Sequence, residues 1–396
     1  MKVPSRILPV IVFAQFCCTS LWFAGNAVMS DLVLDFNLQS EALGDLTSAV
    51  QFGFILGTLS FAFLTISDRF SPSKVFFICA FFGAFFNLGI ILKDNSLYSL
   101  LAFRFLTGFS LAGIYPVGMK IASDYFEKGL GKSLGFLVGA LVVGTAFPHL
   151  LKDITENVQI AWKSVILFTS LLAVLGGVLI FVFIPDGPHR FRRNKPDLST
   201  AYKVFKNIKF RAAAFGYFGH MWELYAFWAF TPVILSFYKS LHPEAEYSVP
   251  LISFLVIGLG GLACVAGGYI SQNLGTKRTA IIALSLSGLC CLISPLIIFL
   301  DSENLLIGFL MFWGLVVVAD SPLFSTLVAQ NAPAESRGTA LTIVNSIGFA
   351  ITIVSIQLLN IFAGEISHEY LYVLLGIGPA LGLFGFFRNK KNESKN

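Results

Sequence analysis

The sequence predicts an all-α polytopic membrane protein, with twelve transmembrane helices arranged as two pseudo-symmetric six-helix bundles. Three observations predict it. The 396 residues are 56% hydrophobic and only 12% charged, about half the charge of a soluble domain. The apolar residues form unbroken stretches of the ~20 residues that span a bilayer, without the alternation of a membrane β-barrel. The basic residues also segregate: with a cytoplasmic N-terminus, 22 Lys and Arg fall on the inside, and four (Lys93, Lys152, Lys163, Lys239) on the outside, leaving Arg104 within a helix. That asymmetry is the positive-inside signature. The same composition disfavours a soluble enzyme, a disordered chain and a nucleic-acid partner, since the net charge of +5 follows topology.

Taken in order, the apolar runs between polar breaks give twelve spans. The first, 8–30, is too long for a signal h-region and runs through Asn26 without a cleavage site. Spans two and three, 43–66 and 75–92, flank the charged turn Asp68-Arg69 to Lys74. The fourth is 97–123, the fifth 131–150 with glycines at 131, 135 and 139, and the sixth 163–184. From Pro185 to Arg211 the chain carries eight basic and two acidic residues, its longest polar stretch. This linker, 185–210, separates bundles at 1–184 and 211–396. Its Leu198, Ala201, Tyr202, Phe205 and Ile208 recur at helical spacing, which suits either an interfacial helix on anionic headgroups or a solvated linker. The second bundle follows with spans at 211–237, 249–270, 279–300, 305–331, 339–363 and 370–387. The six cysteines all lie in apolar runs, with no CxxC or His pairing, so they read as packing residues. No metal and no cofactor is expected.

The two bundles repeat each other. Leu64-Thr65-Ile66-Ser67-Asp68-Arg69-Phe70-Ser71-Pro72-Ser73-Lys74 after span two corresponds to Gly268-Tyr269-Ile270-Ser271-Gln272-Asn273-Leu274-Gly275-Thr276-Lys277-Arg278 after span eight. Gly108 and Pro116 of span four likewise match Gly314 and Pro322 of span ten. Duplicated six-helix halves are a transporter signature.

On these residues the chain resembles the major facilitator superfamily of secondary transporters over essentially its whole length. That family's loop signature, G-x-x-x-D-R-x-G-R-R/K, is kept at Asp68, Arg69 and Lys74, with Leu64 and Ser71 in place of the glycines. The second copy keeps Gly268, Gly275, Lys277 and Arg278 but has Gln272 and Asn273 for the acid and its arginine. A second motif, R-x-x-x-G, is matched by Arg104 to Gly108. The resemblance implies that Asp68, Arg69 and Lys74 gate the cytoplasmic ends of the halves; the bare alternative is that they set topology. It implies a monomer, and a substrate site lined by helices one, four, seven and ten. The G-P motif of drug antiporters is absent from span five, where Pro148 is displaced, and no arginine stands in spans two or eight as in nitrate porters.

Ionisable residues inside apolar spans cost about 3 kcal/mol each and mark function by default. Here they are Arg104, Glu223, Asp320 and the neutral-capable His220. Arg104 shares a helix face with Tyr115, His220 with Glu223 and Phe227, and Trp313 with Asp320, while Gln15, Trp22 and Asn26 form a stripe on span one. Meeting in one cavity, these would give substrate contacts at Arg104, Tyr115, Gln15, Trp22, Asn26, Phe227 and Trp313. They would give proton coupling at Glu223, then Asp320, with His220 as a relay. A fixed internal network that only holds helices together is the alternative for each acid, and tryptophans more often pack than stack on substrate. The expected function is alternating-access transport of a small solute, proton-coupled and leaning to an organic anion. The rival is proton-coupled efflux of amphipathic or cationic compounds. The expected partners are a small molecule, protons and the lipid bilayer of a bacterial inner membrane, with both termini cytoplasmic.

Overall fold

A computed structural model describes residues 4–39, 41–126, 130–190, 204–333 and 337–393, with side chains throughout except at 130–132 and 388–393. Among these residues the chain is helical, without strands. Ten helices are long and apolar enough to cross a membrane. They coincide with the expected spans other than the first and seventh. Those two are also helical, but one is broken and the other is unusually long.

The first span consists of α1 (Ile7–Thr19), α2 (Ala24–Ala27) and α3 (Met29–Phe36). Helix α1 ends in a turn at residues 20–23, so the stripe Gln15, Trp22, Asn26 does not run along one continuous helix. No proline or glycine stands in that turn; the chain breaks because its carbonyls find partners elsewhere, as described below. The next spans are α4 (Ala42–Phe63), the short α5 (Ile66–Arg69), α6 (Pro72–Leu88), α7 (Leu97–Leu111) with α8 (Tyr115–Tyr125), α9 (Leu130–Asn157) and α10 (Lys163–Phe183). After the linker come α11 (Ile208–Leu241), α12 (Val249–Gly258), α13 (Gly260–Leu274), α14 (Thr276–Phe299), α15 (Glu303–Ala319), α16 (Ser321–Asn331), α17 (Arg337–Phe362), α18 (His368–Leu371) and α19 (Ile377–Glu393). Of the linker helix expected from Leu198 to Ile208, residues 198–203 lie outside the described residues. Phe205 meets Phe210 edge-on at 5.1 Å.

The repeat seen in the sequence becomes a pair of matched interruptions. Pro116 is the second residue of α8 and Pro322 the second residue of α16. Proline lacks the N–H that would bond the carbonyl four residues back and collides with it, so each span breaks just before its proline. In the second copy the freed carbonyl, Val318 O, accepts a hydrogen bond from Cys264 Sγ at 3.4 Å. Pro295, by contrast, stays inside α14, and the carbonyl it frees, Cys291 O, is taken by Ser294 Oγ at 2.9 Å. These substitutes matter because hydrocarbon offers no water to an orphaned carbonyl.

The chain divides into two compact units, Met1–Lys195 with Tyr247–Gly261, and Pro196–Glu246 with Leu262–Asn396. In the first, α4 packs along α7, α6 along α10, and α1 between α9 and α10. Glycine makes the α4–α7 contact: a Cβ at Gly53 would lie 2.0 Å from Phe105 O, and one at Gly108 2.0 Å from Val50 O. In the second unit α11 packs along α19 and α17. Gly219 and Gly378 stand so close that a Cβ on either would lie within 2.4 or 2.5 Å of the other's carbonyl oxygen. Backbone-to-backbone approach of this kind is the usual packing device in a bilayer, where apolar side chains gain little from leaving lipid. A Cβ at Gly135, by contrast, would meet nothing within 4 Å beyond its own helix backbone among the described residues.

Replacing Gly53 by Ala should therefore force α4 from α7, with a loss of about 1–3 kcal/mol. Thermal unfolding in detergent checks this; Gly135→Ala, with open space for its methyl, should unfold at the wild-type temperature.

Candidate functional site

Each unit holds its own polar cluster. In the first, Arg104 is 1% exposed on α7 and points into the interruption of the first span. Its Nη1 donates to Leu21 O at 3.1 Å, and its Nη2 donates to Trp22 O. The guanidinium thus takes up carbonyls that a continuous helix would have bonded itself. Gly25 makes room for it, since a Cβ there would sit 3.3 Å from Nε. Arg104 makes no ion pair with any described acid. A buried cation without a counter-charge costs several kcal/mol, which is the most telling feature of this cluster.

Other polar side chains of this unit are also buried. Asn26 donates to Thr47 Oγ1 of α4 at 2.7 Å, and Trp22 packs on Phe54 with ring centroids 4.8 Å apart. Gln15 is fully buried and crowds Gly118 of α8, yet neither its amide nitrogen nor its oxygen has a hydrogen-bond partner among the described residues. Gln51 of α4 is in the same condition. Tyr115, half-buried, opens α8 just past the break.

In the second unit the three ionisable residues separate into two groups. Glu223 of α11 is 0% exposed and accepts three hydrogen bonds. Its Oε1 takes Trp313 Nε1 of α15 at 2.7 Å and Cys291 Sγ of α14 at 3.3 Å, while Oε2 takes Ser287 Oγ at 2.9 Å. Phe227 packs tilted against the Trp313 ring, with centroids 4.5 Å apart. The other group is His220 of α11 and Asp320, at the break between α15 and α16, with Nδ1 2.8 Å from Oδ1 and both side chains 0% exposed. The imidazole lies against Tyr217 and Phe324, with centroids 6.1 and 6.3 Å away.

At the α4–α6 turn, Asp68 pairs with Lys120 of α8 at 2.9 Å, and Lys120 approaches Asp124 at 3.7 Å. Arg190 donates to Asp68 O and Phe70 O. The motif's own basic residues, Arg69 and Lys74, are exposed. The acid of the motif is thus held by a lysine that no local pattern singles out.

Sequence reading also missed residues whose signal was present. Ser287 and Cys291 sit four apart on one face of α14, the spacing that lets both reach one carboxylate. His149, Lys152, Asp153 and Glu156 share a face at the end of α9, all but His149 beyond the expected end of span five. There Lys152 pairs with Asp31 at 2.6 Å and Glu156 at 3.1 Å, and Ser248 donates to Asp153. One further group, His242, Glu244 and Asp301, brings three donor atoms within 4.8 Å of one another, with both acids exposed.

Trp313→Phe keeps a ring beside Phe227 but leaves Glu223 without its shortest donor. It should cost about 1.5–3 kcal/mol of stability, as expected for a hydrogen bond to a charged group. A fall in the thermal unfolding midpoint larger than that of Cys291→Ala would bear this out.

Comparison with known proteins gives a consistent result. The family model described as Major Facilitator Superfamily matches residues 11–356. The chain is 27% identical over 181 residues to the probable galactarate/D-glucarate transporter GudP of Bacillus subtilis (strain 168), which covers 43% of this chain and 39% of that protein. It is 26% identical over 165 residues to the 4-hydroxybenzoate transporter PcaK of Pseudomonas aeruginosa, covering 39% and 34%. The chain thus spans little more than a third of the length of these curated relatives. A crystal structure of a bacterial homologue of the human lysosomal transporter Spinster, inward-facing and occupied, shares the fold with a TM-score of 0.72, at 14% identity and 96% coverage of both chains.

Proposed function

The chain belongs to the Major Facilitator Superfamily, and from that premise we propose that it carries a small organic anion across the membrane by alternating access, coupled to protons. The observation that carries the reading is the uncompensated Arg104. A guanidinium held dry by two carbonyls retains further N–H donors and its whole charge. Its burial costs least when a carboxylate enters and pairs with it. Gln15 and Asn26 supply amides near the same break, Trp22 and Tyr115 supply ring faces, and Phe227 and Trp313 are the corresponding aromatic candidates of the second unit. Two relatives named for the carboxylates galactarate/D-glucarate and 4-hydroxybenzoate support this substrate class.

A buried acid of the second unit supplies the proton coupling. A carboxylate closed off from water favours its neutral form, and a charge of opposite sign nearby restores the ionised one. Substrate and proton can then compensate for one another. The Asp68–Lys120 pair, with Arg190 on the neighbouring carbonyls, is the gating contact of its turn, and Arg69 and Lys74 serve topology. The basic asymmetry supports cytoplasmic termini, and the bacterial relatives support an inner-membrane location for a monomer built from bundles at 1–184 and 211–396.

In proteoliposomes with an inward proton gradient, radiolabelled D-glucarate or 4-hydroxybenzoate should accumulate, and Arg104→Ala should reduce that at least a hundredfold. Export of a lipophilic cation that survives Arg104→Ala, with neither acid moved, would favour the drug-efflux reading and overturn this one.

A further inference from the structure

The two buried acids of the second unit differ in one respect that decides which can exchange a proton. Both oxygens of Glu223 are engaged, by donors from α14 and α15. The indole N–H can only donate, and the Ser287 hydroxyl and Cys291 thiol can donate or accept, so the set of Trp313, Ser287 and Cys291 holds the Glu223 side chain in place in either form and ties three helices together. Asp320 and His220 have only each other. Nδ1 and Oδ1 lie 2.8 Å apart, and none of the four polar atoms of the two side chains makes a hydrogen bond among the described residues, although both side chains are fully buried. Orphaned buried polar atoms of this kind are costly and call for an explanation.

We propose that the proton that accompanies transport is taken up and released by the His220–Asp320 dyad, with Glu223 acting as a structural tie. At rest the imidazole is neutral and the carboxylate ionised, so the pair carries one proton and a charge of −1. Uptake adds a second, from water, at an imidazole nitrogen or an Asp320 oxygen, taking the pair to neutral. Release returns that proton to water and the pair to −1. This inference rests on the proton-coupled reading above and names the group that performs it.

The surroundings leave the charge change to the pair. From α11 the titratable neighbours are Glu223, held as described, and Tyr217, one turn the other way and packed against Gly348 of α17. From α13 comes Cys264, whose thiol is committed to Val318 O. From α14, Ser287 and Cys291 turn to Glu223, and Lys277 sits over the Phe386 ring at 5.7 Å. From α16 the imidazole meets Phe324, which in turn packs on Phe386. Asp320 also stands at the α15–α16 interruption, where its own carbonyl accepts from Leu323 N and Phe324 N. Protonating the dyad therefore acts at the joint where the span is already broken.

The test uses the reconstituted full chain with two readouts. Infrared difference spectra between acid and neutral pH, without substrate, should show a carboxyl or imidazole signal. That signal should be absent from Asp320→Asn and from His220→Gln, and retained in Glu223→Gln. With D-glucarate and 4-hydroxybenzoate as probes, the two dyad variants should lose at least tenfold of gradient-driven accumulation while keeping counterflow. Glu223→Gln should lower both activities together, along with the unfolding temperature. A signal lost in Glu223→Gln but kept in Asp320→Asn, or gradient-driven accumulation undiminished in Asp320→Asn, would overturn the assignment. A wild type that moves the probes indifferently to the gradient would instead overturn the proton-coupled reading, and the dyad's role with it. If neither probe is moved, the infrared result decides.

Discussion

Every peptide group inside a bilayer must find its hydrogen bond within the protein, and this constraint organises both halves of the molecule. Continuous helices meet it without help. Where a span is interrupted, the freed carbonyls recruit polar side chains that would otherwise have no reason to be buried. Arg104 takes Leu21 O and Trp22 O at the break in the first span. Cys264 takes the carbonyl that Pro322 leaves behind, and Ser294 the one left by Pro295. The candidate site residues are largely the groups that gather at such breaks, so that the chemistry of the protein and the irregularity of its backbone have one origin.

The same constraint explains the glycines. Spans that cannot gain by burying apolar side chains hold together through close backbone contact, as at Gly53 and Gly108 in the first unit and Gly219 and Gly378 in the second. Rigid pairs of this kind give the interruptions something firm to bend against. Glu223 adds a polar tie among α11, α14 and α15 through its contacts with Ser287, Cys291 and Trp313.

The architecture was legible in the sequence because hydropathy, basic asymmetry and the internal repeat are properties of short stretches or of sums. The proline breaks were legible for the same reason, since Pro116 and Pro322 act on their own helices. The partners of the charged residues were not. Asp68 meets Lys120, His220 meets Asp320, and Glu223 meets Ser287 and Cys291 across tens of residues of chain. The break at residues 20–23 carries no local breaker and depends on Arg104, more than eighty residues away. Helical periodicity therefore drew Gln15, Trp22 and Asn26 as one stripe where the chain makes a turn.

The matched interruptions at Pro116 and Pro322 have an evolutionary consequence. The two halves share the breaks, but their buried charges differ: the first half holds a lone cation, the second a histidine–aspartate pair and a tied glutamate. A symmetric assembly of two first halves would bury two unpaired guanidiniums. Two second halves would have acids and no cation. The ancestral symmetry survives in the backbone and has been abolished in the electrostatics, so neither half can any longer stand in for the other.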